Sequence, residues 1–405
     1  MSKVIAVLAT LDTKGQEARY LREALAMLGS RALVVDLGVI GEPATEADVT
    51  REEVARSGGT PLGALLEDPS REAATPVMAA GATSILRSRI AEKELHAVLG
   101  LGGLQGTALC TEVMRALPYG FPKLMVSTVA SGDTSAYVDI KDVTMMFSVG
   151  DILGLNPLTR RILANAAGAA HGMAQVGVPL PSQSRDKPVI GMTNLGVLTR
   201  GAIQALDYFQ EAGYEAIVFH AVGSGGRAME QMMKEGVIGA VFDYALGEIA
   251  DERFGALRAG GQERLTVAGE LGLPQVICPG GAEHLGILVD PPGSVPERYR
   301  DHAHVFHNPV VFVPRLKAHE MIEVAKDIAE RLQHTRGNAV FMMPLRGTGS
   351  YAMEGGPLHD PDGDRVFFQE LRSRLPASIE VVERDTHAED PEFVREAVDR
   401  LLALL

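Results

Sequence analysis

The stretch Val4 to Thr13, VIAVLATLDT, runs from an apolar, β-branched segment of strand length straight into Lys14, Gly15 and a stretch in which Tyr20, Leu21, Ala24, Leu25 and Leu28 follow helical spacing. A segment apolar at every position suits a parallel strand covered on both faces, so the chain opens as a buried strand, a polar turn and a helix. Thr10, Asp12, Thr13 and Lys14 then stand at the carboxyl end of a strand. Open α/β sheets bind ligands at that edge, because helix amino termini, with unpaired N–H groups and a partial positive charge, point there. Asp12 or Thr13 capping the helix is the structural alternative.

The same grammar recurs further on. A polar, proline-bearing segment, Val178 to Pro188, separates two regions that each begin with a strand and a threonine turn, and it reads as a linker. Beyond it, PVIGMTNLGVLTRG parallels KVIAVLATLDTKG, with Thr193 expected where Thr10 falls. His96 to Thr107 and Gly239 to Ala250 are each a strand feeding a helix, and Pro122 to Thr128 has its counterpart in Pro274 to Gly281. At 405 residues and roughly 150 residues per domain, the chain is read as two domains, 1–180 and 188–405. Both are expected to be doubly wound α/β units with mainly parallel sheets and right-handed crossovers. Ser70 to Ala91 reads as a helix, Ser148 to Asn156 as a short strand and turn, and Arg160 to Val176 as a small-residue helix able to pack closely.

Composition narrows the classes. The 46% hydrophobic content, 44 glycines and absence of tryptophan suit parallel sheets with glycine-rich turns. A formal charge of −14 without clustered Lys and Arg excludes a nucleic-acid surface. Cys110 and Cys278 lie in apolar contexts without metal-ligand spacing, so buried thiols in a reducing, cytoplasmic setting are expected. The opening residues do not read as a signal peptide, and no stretch has the roughly 18 apolar residues of a membrane span.

Gly100 to Thr107, GLGGLQGT, follows a strand and precedes a helix. A dinucleotide fingerprint would need an acidic residue at the end of the next strand, where this chain has Ser127 and Thr128, so a more general nucleotide or phosphate loop fits better. Gly102, Gly103 and Gly106 allow close backbone approach, and Thr107 adds a hydroxyl at the helix start. A tight strand-to-helix turn without a ligand is the structural alternative. Ser127, Thr128, Ser131 and Gly132 bring further hydroxyls and a glycine to the same edge. Asp139, Asp142 and Asp151 are nearby in sequence, and one of them could support Mg2+ through water.

The set ATLDTK, LGGLQGT, STVASGD and SAYVDIKDVTMMFSVGDILGLN, with MTNLG, FHAVGSGGRAMEQM, CPGG, FHNP and PEF further on, resembles the Tm-1-like ATP-binding family, also called UPF0261, over nearly the whole chain. The resemblance implies two Rossmann-like domains, ATP with Mg2+ in the first, and a homodimer. It favours Thr10, Asp12, Thr13 and Lys14, the turn Gly102 to Thr107, and Ser127 to Gly132 as the nucleotide site. Where the family's turn reads Gly-Gly-Ser-Gly-Gly-Thr, this chain has Leu104 and Gln105 in place of Ser and Gly. That exchange points to altered nucleotide affinity or to another anion.

The second region has its own polar set. His220 ends a strand before the glycine loop Gly223 to Gly226, and Asp243, His302, His304, His307, Asn308, Arg315, Glu320 and Arg346 lie at the ends of predicted elements. His220 or His307 could act as a base, and Arg346 could grip a carboxylate or phosphate. No metal ligands are assigned. Three readings follow: an ATP-dependent enzyme acting on a small anionic metabolite near an interdomain cleft, a non-catalytic ATP-sensing or inhibitory protein, and a small-carboxylate enzyme using His220, His307 and Arg346.

Overall fold

The computed structural model describes residues 2–67, 69–177, 187–291 and 293–405. All but Lys187 and Pro188 of the expected linker lie outside them. The chain divides into two compact units, Met1–Leu180 and Pro181–Leu405.

In the first unit the strands β1 (Val4–Ala9), β2 (Arg31–Asp36), β3 (Ala97–Gly102), β4 (Lys123–Ser127) and β5 (Thr144–Phe147) form one parallel sheet in the order β2-β1-β3-β4-β5. The side chains of β1 alternate between two cores. Ile5, Val7 and Ala9 pack with the helices Leu11–Met27 and Pro157–Gln175, whereas Ala6 and Leu8 pack with Arg51–Ser57, Arg71–Ala91 and Leu104–Arg115. Both faces are therefore covered, which is why the strand is apolar at every position. The run of alanines in Pro157–Gln175 lies against the sheet with Ala166, Ala167 and Ala170 buried. The strand expected within Ser148 to Asn156 instead lies just before it, at β5. The chain turns at Ser148, whose hydroxyl donates to the Gly150 carbonyl, and Val149 takes a left-handed φ of 60° that ends strand geometry.

The second unit carries the strands β6 (Ile190–Asn194), β7 (Ala216–His220), β8 (Ala240–Ala245) and β9 (Gln275–Gly280). A small antiparallel insertion follows, made of β10 (Ile287–Leu288), β11 (His304–Asn308) and β12 (Val311–Pro314), before β13 (Ala339–Pro344) and β14 (Glu380–Arg384). The main sheet is parallel in the order β14-β13-β9-β8-β6-β7. Both main sheets thus reverse strand order in the same place, between β1 and β3 in one and between β6 and β8 in the other. Register corrects one expected equivalence. Ile5 faces Ala97 and Ile190 faces Ala240, so Thr193 matches Leu8 rather than Thr10. Thr193 is fully buried inside β6, and Leu195 occupies the position of Thr10.

Candidate functional site

Doubly wound sheets open a crevice where strand order reverses, because successive crossovers leave toward opposite faces there. In the first unit that point lies between β1 and β3, and a cleft of about 480 Å³ occupies it. Thr10, Asp12, Thr13 and Lys14 line it from β1, Gly102, Gly103 and Gly106 from β3.

The β1 turn is fixed by its backbone. The Thr10 carbonyl accepts from the N–H groups of Thr13 at 3.2 Å and Lys14 at 2.8 Å, and the Thr10 and Thr13 hydroxyls pair at 2.9 Å. Lys14 departs from helical geometry at φ −123° and ψ 17°. Its ammonium forms no hydrogen bond or ion pair among the described residues. Beneath the turn, the buried carboxylate of Asp36 at the end of β2 accepts from Leu11 N at 3.0 Å and Gly38 N at 2.8 Å. Burial raises its pKa, and the two backbone N–H groups oppose the shift. Asp36 stands where dinucleotide-binding folds place a ribose-binding acid, yet its oxygens are turned into the protein. Asp12, by contrast, keeps its Oδ1 buried without a hydrogen-bond partner.

At β3, Gly102 lets the strand run directly into a helix, since a Cβ there would lie 2.7 Å from the Cα of Gly106. Gly103 is the N-cap of helix Leu104–Arg115 and offers no capping side chain. An added Cβ at Gly103 would have only the Thr128 Oγ1 within 4 Å, at 3.8 Å, so packing does not require glycine there. The N–H groups of Leu104, Gln105 and Gly106 have no acceptor among the described residues. Three open donors and a helix dipole at the mouth of a cleft form an anion cradle. Leu104 and Gln105 lie in this first turn, so their side chains stand at the rim while their N–H groups remain donors.

Other candidate residues are placed differently. Thr107 and Ser127 are fully buried, and their hydroxyls meet at 2.7 Å. They tie the β3 turn to β4 beneath the cleft instead of facing a ligand. Thr128 sits at the cleft's margin, its N–H donating to the Gly102 carbonyl at 3.3 Å, while Ser131 and Gly132 are exposed in the next turn and do not line it. Asp139, Asp142 and Asp151 do not line it either. Asp142 is engaged by Lys123 at 2.8 Å and Gly120 N at 2.9 Å.

Sequence reasoning missed the remaining walls: the loop after β2, with Val39 and a strongly exposed Ile40, and the start of helix Arg71–Ala91, with Arg71, Thr75 and Met78. Ser70 caps that helix by accepting from Ala73 N. The Arg71 guanidinium has no partner among the described residues. A crossover helix entering β3 must begin at the carboxyl edge, and that is the signal from which Arg71 was recoverable.

In the second unit the glycine turn that follows the edge strand β7 is closed. The turn Gly223 to Gly226 donates to Glu248 Oε1 from Gly223 N at 2.6 Å and Gly226 N at 3.1 Å. Arg264 Nε holds the other oxygen of Glu248 at 2.7 Å. Arg264 also reaches both oxygens of Asp243, at 2.5 and 2.6 Å, and Glu230 at 3.3 Å, all fully or nearly fully buried. Burial pushes the Glu230 carboxyl up to about 7, against the opposing pull of Arg264. Likewise, Glu389 accepts from Arg200 N at 2.9 Å at the start of helix Thr199–Glu211. The chain's own carboxylates thus occupy donors that a phosphate would use.

Nor do the three expected catalytic residues assemble. His220 ends the edge strand β7, whereas Arg346 follows β13, four strands away, or about 19 Å at the usual strand spacing. Arg346 is bound bidentately by Asp385 at 2.6 Å on an exposed surface, and His307 on β11 meets the Tyr351 hydroxyl at 3.3 Å. Cys110 and Cys278 are buried free thiols. Among the described residues no helix is long and apolar enough to cross a membrane.

Fold and cleft together define a protein of two doubly wound α/β units whose first unit holds an open, donor-lined crevice at its switch point. The chain belongs to the uncharacterised protein family UPF0261, whose N-terminal domain matches residues 3–178 and whose C-terminal domain matches residues 187–405. A UPF0261 protein of Clostridium tetani is 36% identical over all of both chains, and one of Rhizobium meliloti is 35% identical over 98% of each. The ToMV resistance protein Tm-1(GCR237) of Solanum lycopersicum is 32% identical over 77% of this chain and 42% of its own. Among solved structures, MurG of Acinetobacter baumannii shares 13% identity at a TM-score of 0.22 over the whole of both chains.

Proposed function

We propose that the first unit binds a nucleotide, with ATP the expected ligand, in the cleft between β1 and β3. The observation that carries this reading is the uncapped Gly103 turn, whose three open N–H donors share a cleft of about 480 Å³ with two unpaired cations, Lys14 and Arg71. That volume lies within the range of small-molecule sites, and Val39, Ile40, Met78 and Leu104 supply an apolar wall for a flat base. Asp12 is the one carboxylate on the described lining, and its unpartnered oxygen fits a Mg2+ ion held mainly by phosphate oxygens and water. Bound there, the metal would neutralise phosphate charge. No histidine lines the cleft among the described residues, so the residues present bind and neutralise more readily than they move protons. This favours an ATP-sensing or ATP-presenting protein over a hydrolase. Two free buried thiols accord with a reducing, cytoplasmic setting.

Calorimetric titration of ATP with and without Mg2+, into the protein and into Lys14→Ala, tests the reading, with phosphate release followed in the same samples. Binding that weakens in the variant by roughly tenfold or more, the effect of losing one charge-assisted bond, is expected. The absence of binding at millimolar ATP would overturn it. Steady phosphate release would make the protein an ATPase instead of a sensor.

A further inference from the structure

Independently of the nucleotide reading, we propose that a second cleft in the first unit binds a small organic cation, a protonated primary amine, on the carboxylate of Glu17. This cleft, of about 330 Å³, is bounded by the first two turns of helix Leu11–Met27, by Ala44 in the loop after β2, and by Leu153 and Gly154 in the loop before helix Pro157–Gln175. Its walls are held in place. Ala44 N donates to the Leu11 carbonyl at 2.9 Å, and Gly154 N donates to Glu17 Oε1 at 2.7 Å. The loop after β2 lies so close to the helix that a Cβ on Gly15 would stand 2.9 Å from that of Ala44.

Glu17 is the anomaly. It is only 1% exposed, yet the Gly154 N–H is its one partner among the described residues, which leaves Oε2 unpaired. Each of the other buried carboxylates described has an arginine or a histidine or, as at Asp36 and Glu389, two backbone N–H groups. Anchoring a loop takes one acceptor oxygen, which an amide would supply, whereas a carboxylate buried with one hydrogen bond is costly until a cation compensates it. No lysine, arginine or histidine lines this cleft, and Asp12, shared with the first cleft, adds a second carboxylate. A phosphate there would meet two anions, so the ligand must be opposite in charge to the one expected between β1 and β3. An organic cation fits better than a metal ion: among the described residues no three His, Cys, Asp or Glu side chains are grouped to hold one. The volume is also that of a small-molecule site, and Ala44 and Leu153 offer apolar surface to an alkyl stem.

The test is calorimetric titration of propylamine, ethanolamine and putrescine, with ethylene glycol as the uncharged control, into the full chain and into Glu17→Gln and Leu153→Lys, without nucleotide. Glutamine keeps an oxygen for Gly154 N and removes the charge. Lysine at position 153, which is 76% exposed, brings a tethered ammonium to the cleft without disturbing the core. The unaltered protein is expected to bind the amines and not the glycol. Glu17→Gln should weaken the amines roughly 10- to 100-fold while its melting temperature holds or rises, because the lost charge had no cation in the free protein. Leu153→Lys should block them with an unchanged circular dichroism spectrum. Failure of all the amines to bind at millimolar concentration, or equal binding by Glu17→Gln, would overturn the site. A lowered melting temperature in Glu17→Gln with no amine binding to the unaltered protein would make Glu17 a loop anchor and nothing more. Titrations of Mg2+ and K+ complete the set, and binding of either in place of the amines would overturn the organic assignment. Each of these outcomes leaves the nucleotide reading standing.

Discussion

Arg264→Met isolates the energetics of the closed second unit. The guanidinium is fully buried and is the shared cation of Asp243, Glu248 and Glu230. Methionine keeps much of the aliphatic stem but leaves three buried carboxylates without a counter-charge. Breaking a buried ion pair by removing one partner costs about 3–5 kcal/mol, which is the loss expected at pH 8. The pH dependence follows from the direction of the shifts. Burial already holds Glu230 at about 7, against an ordinary 4.5, even with Arg264 present. A carboxyl with a raised folded pKa binds more protons folded than unfolded, so its contribution is fully present below about 4.5 and is lost as pH rises through about 7. That gap is worth on the order of 3 kcal/mol. Without Arg264 the Glu230 and Glu248 carboxyls, already raised by burial and held down by that guanidinium, rise further, so the variant should lose most at pH 8 and recover much of the loss by pH 5 as these two groups take up protons. Urea unfolding followed by circular dichroism at pH 5, 6, 7 and 8 measures both the loss and its slope. A deficit under about 1 kcal/mol, or one equal at pH 5 and pH 8, would refute the reasoning.

Other substitutions separate structure from site. Gly103→Ala meets only Thr128 Oγ1 within 4 Å, so thermal unfolding should shift little, while calorimetry should show nucleotide binding reduced by roughly tenfold or more as a methyl enters the cradle. Gly226→Ala probes the glycine turn after β7 in the second unit: the new Cβ runs into Glu248 and Arg264, and destabilisation of several kcal/mol, about 3 or more, is expected by urea titration. Ser127→Ala leaves the Thr107 hydroxyl and the Val129 N–H without their buried partner and should cost about 1–3 kcal/mol. Its nucleotide affinity at saturating stability should stay unchanged; a binding loss at unchanged stability would place Ser127 in the site.

Much of the fold is local and therefore legible. Val4–Ala9 and the helical spacing after it identify a strand and helix because both faces of the strand are buried. Ser70 announces the helix Arg71–Ala91 through a capping bond that spans three residues. The β1 turn and the Gly102 to Gly106 turn are readable for the same reason: a strand passing straight into a helix needs particular residues in a particular order. The direction a side chain takes is different, because it depends on neighbours remote in sequence. Thr107 is a hydroxyl at a helix start by pattern, yet Ser127, on another strand, draws it beneath the cleft. The Gly223 to Gly226 loop has the composition of a phosphate loop, yet Glu248 and Arg264 fill it from two later segments.

Sequence by itself determined that the chain alternates strands and helices, that its two main sheets are parallel and buried, and that glycine and threonine turns fall at their carboxyl ends. Tertiary structure alone decided which turn stays open. Strand order brings β1 beside β3 and leaves a crevice between them, and helix Arg71–Ala91 returns Arg71 to the same edge as Lys14. The second unit has the same strand reversal, but the donors of its glycine turn after β7 are already neutralised by a desolvated carboxylate. The physical reason is that periodicity encodes burial along each element, whereas the occupancy of a donor is settled only when distant charges compete for it in space.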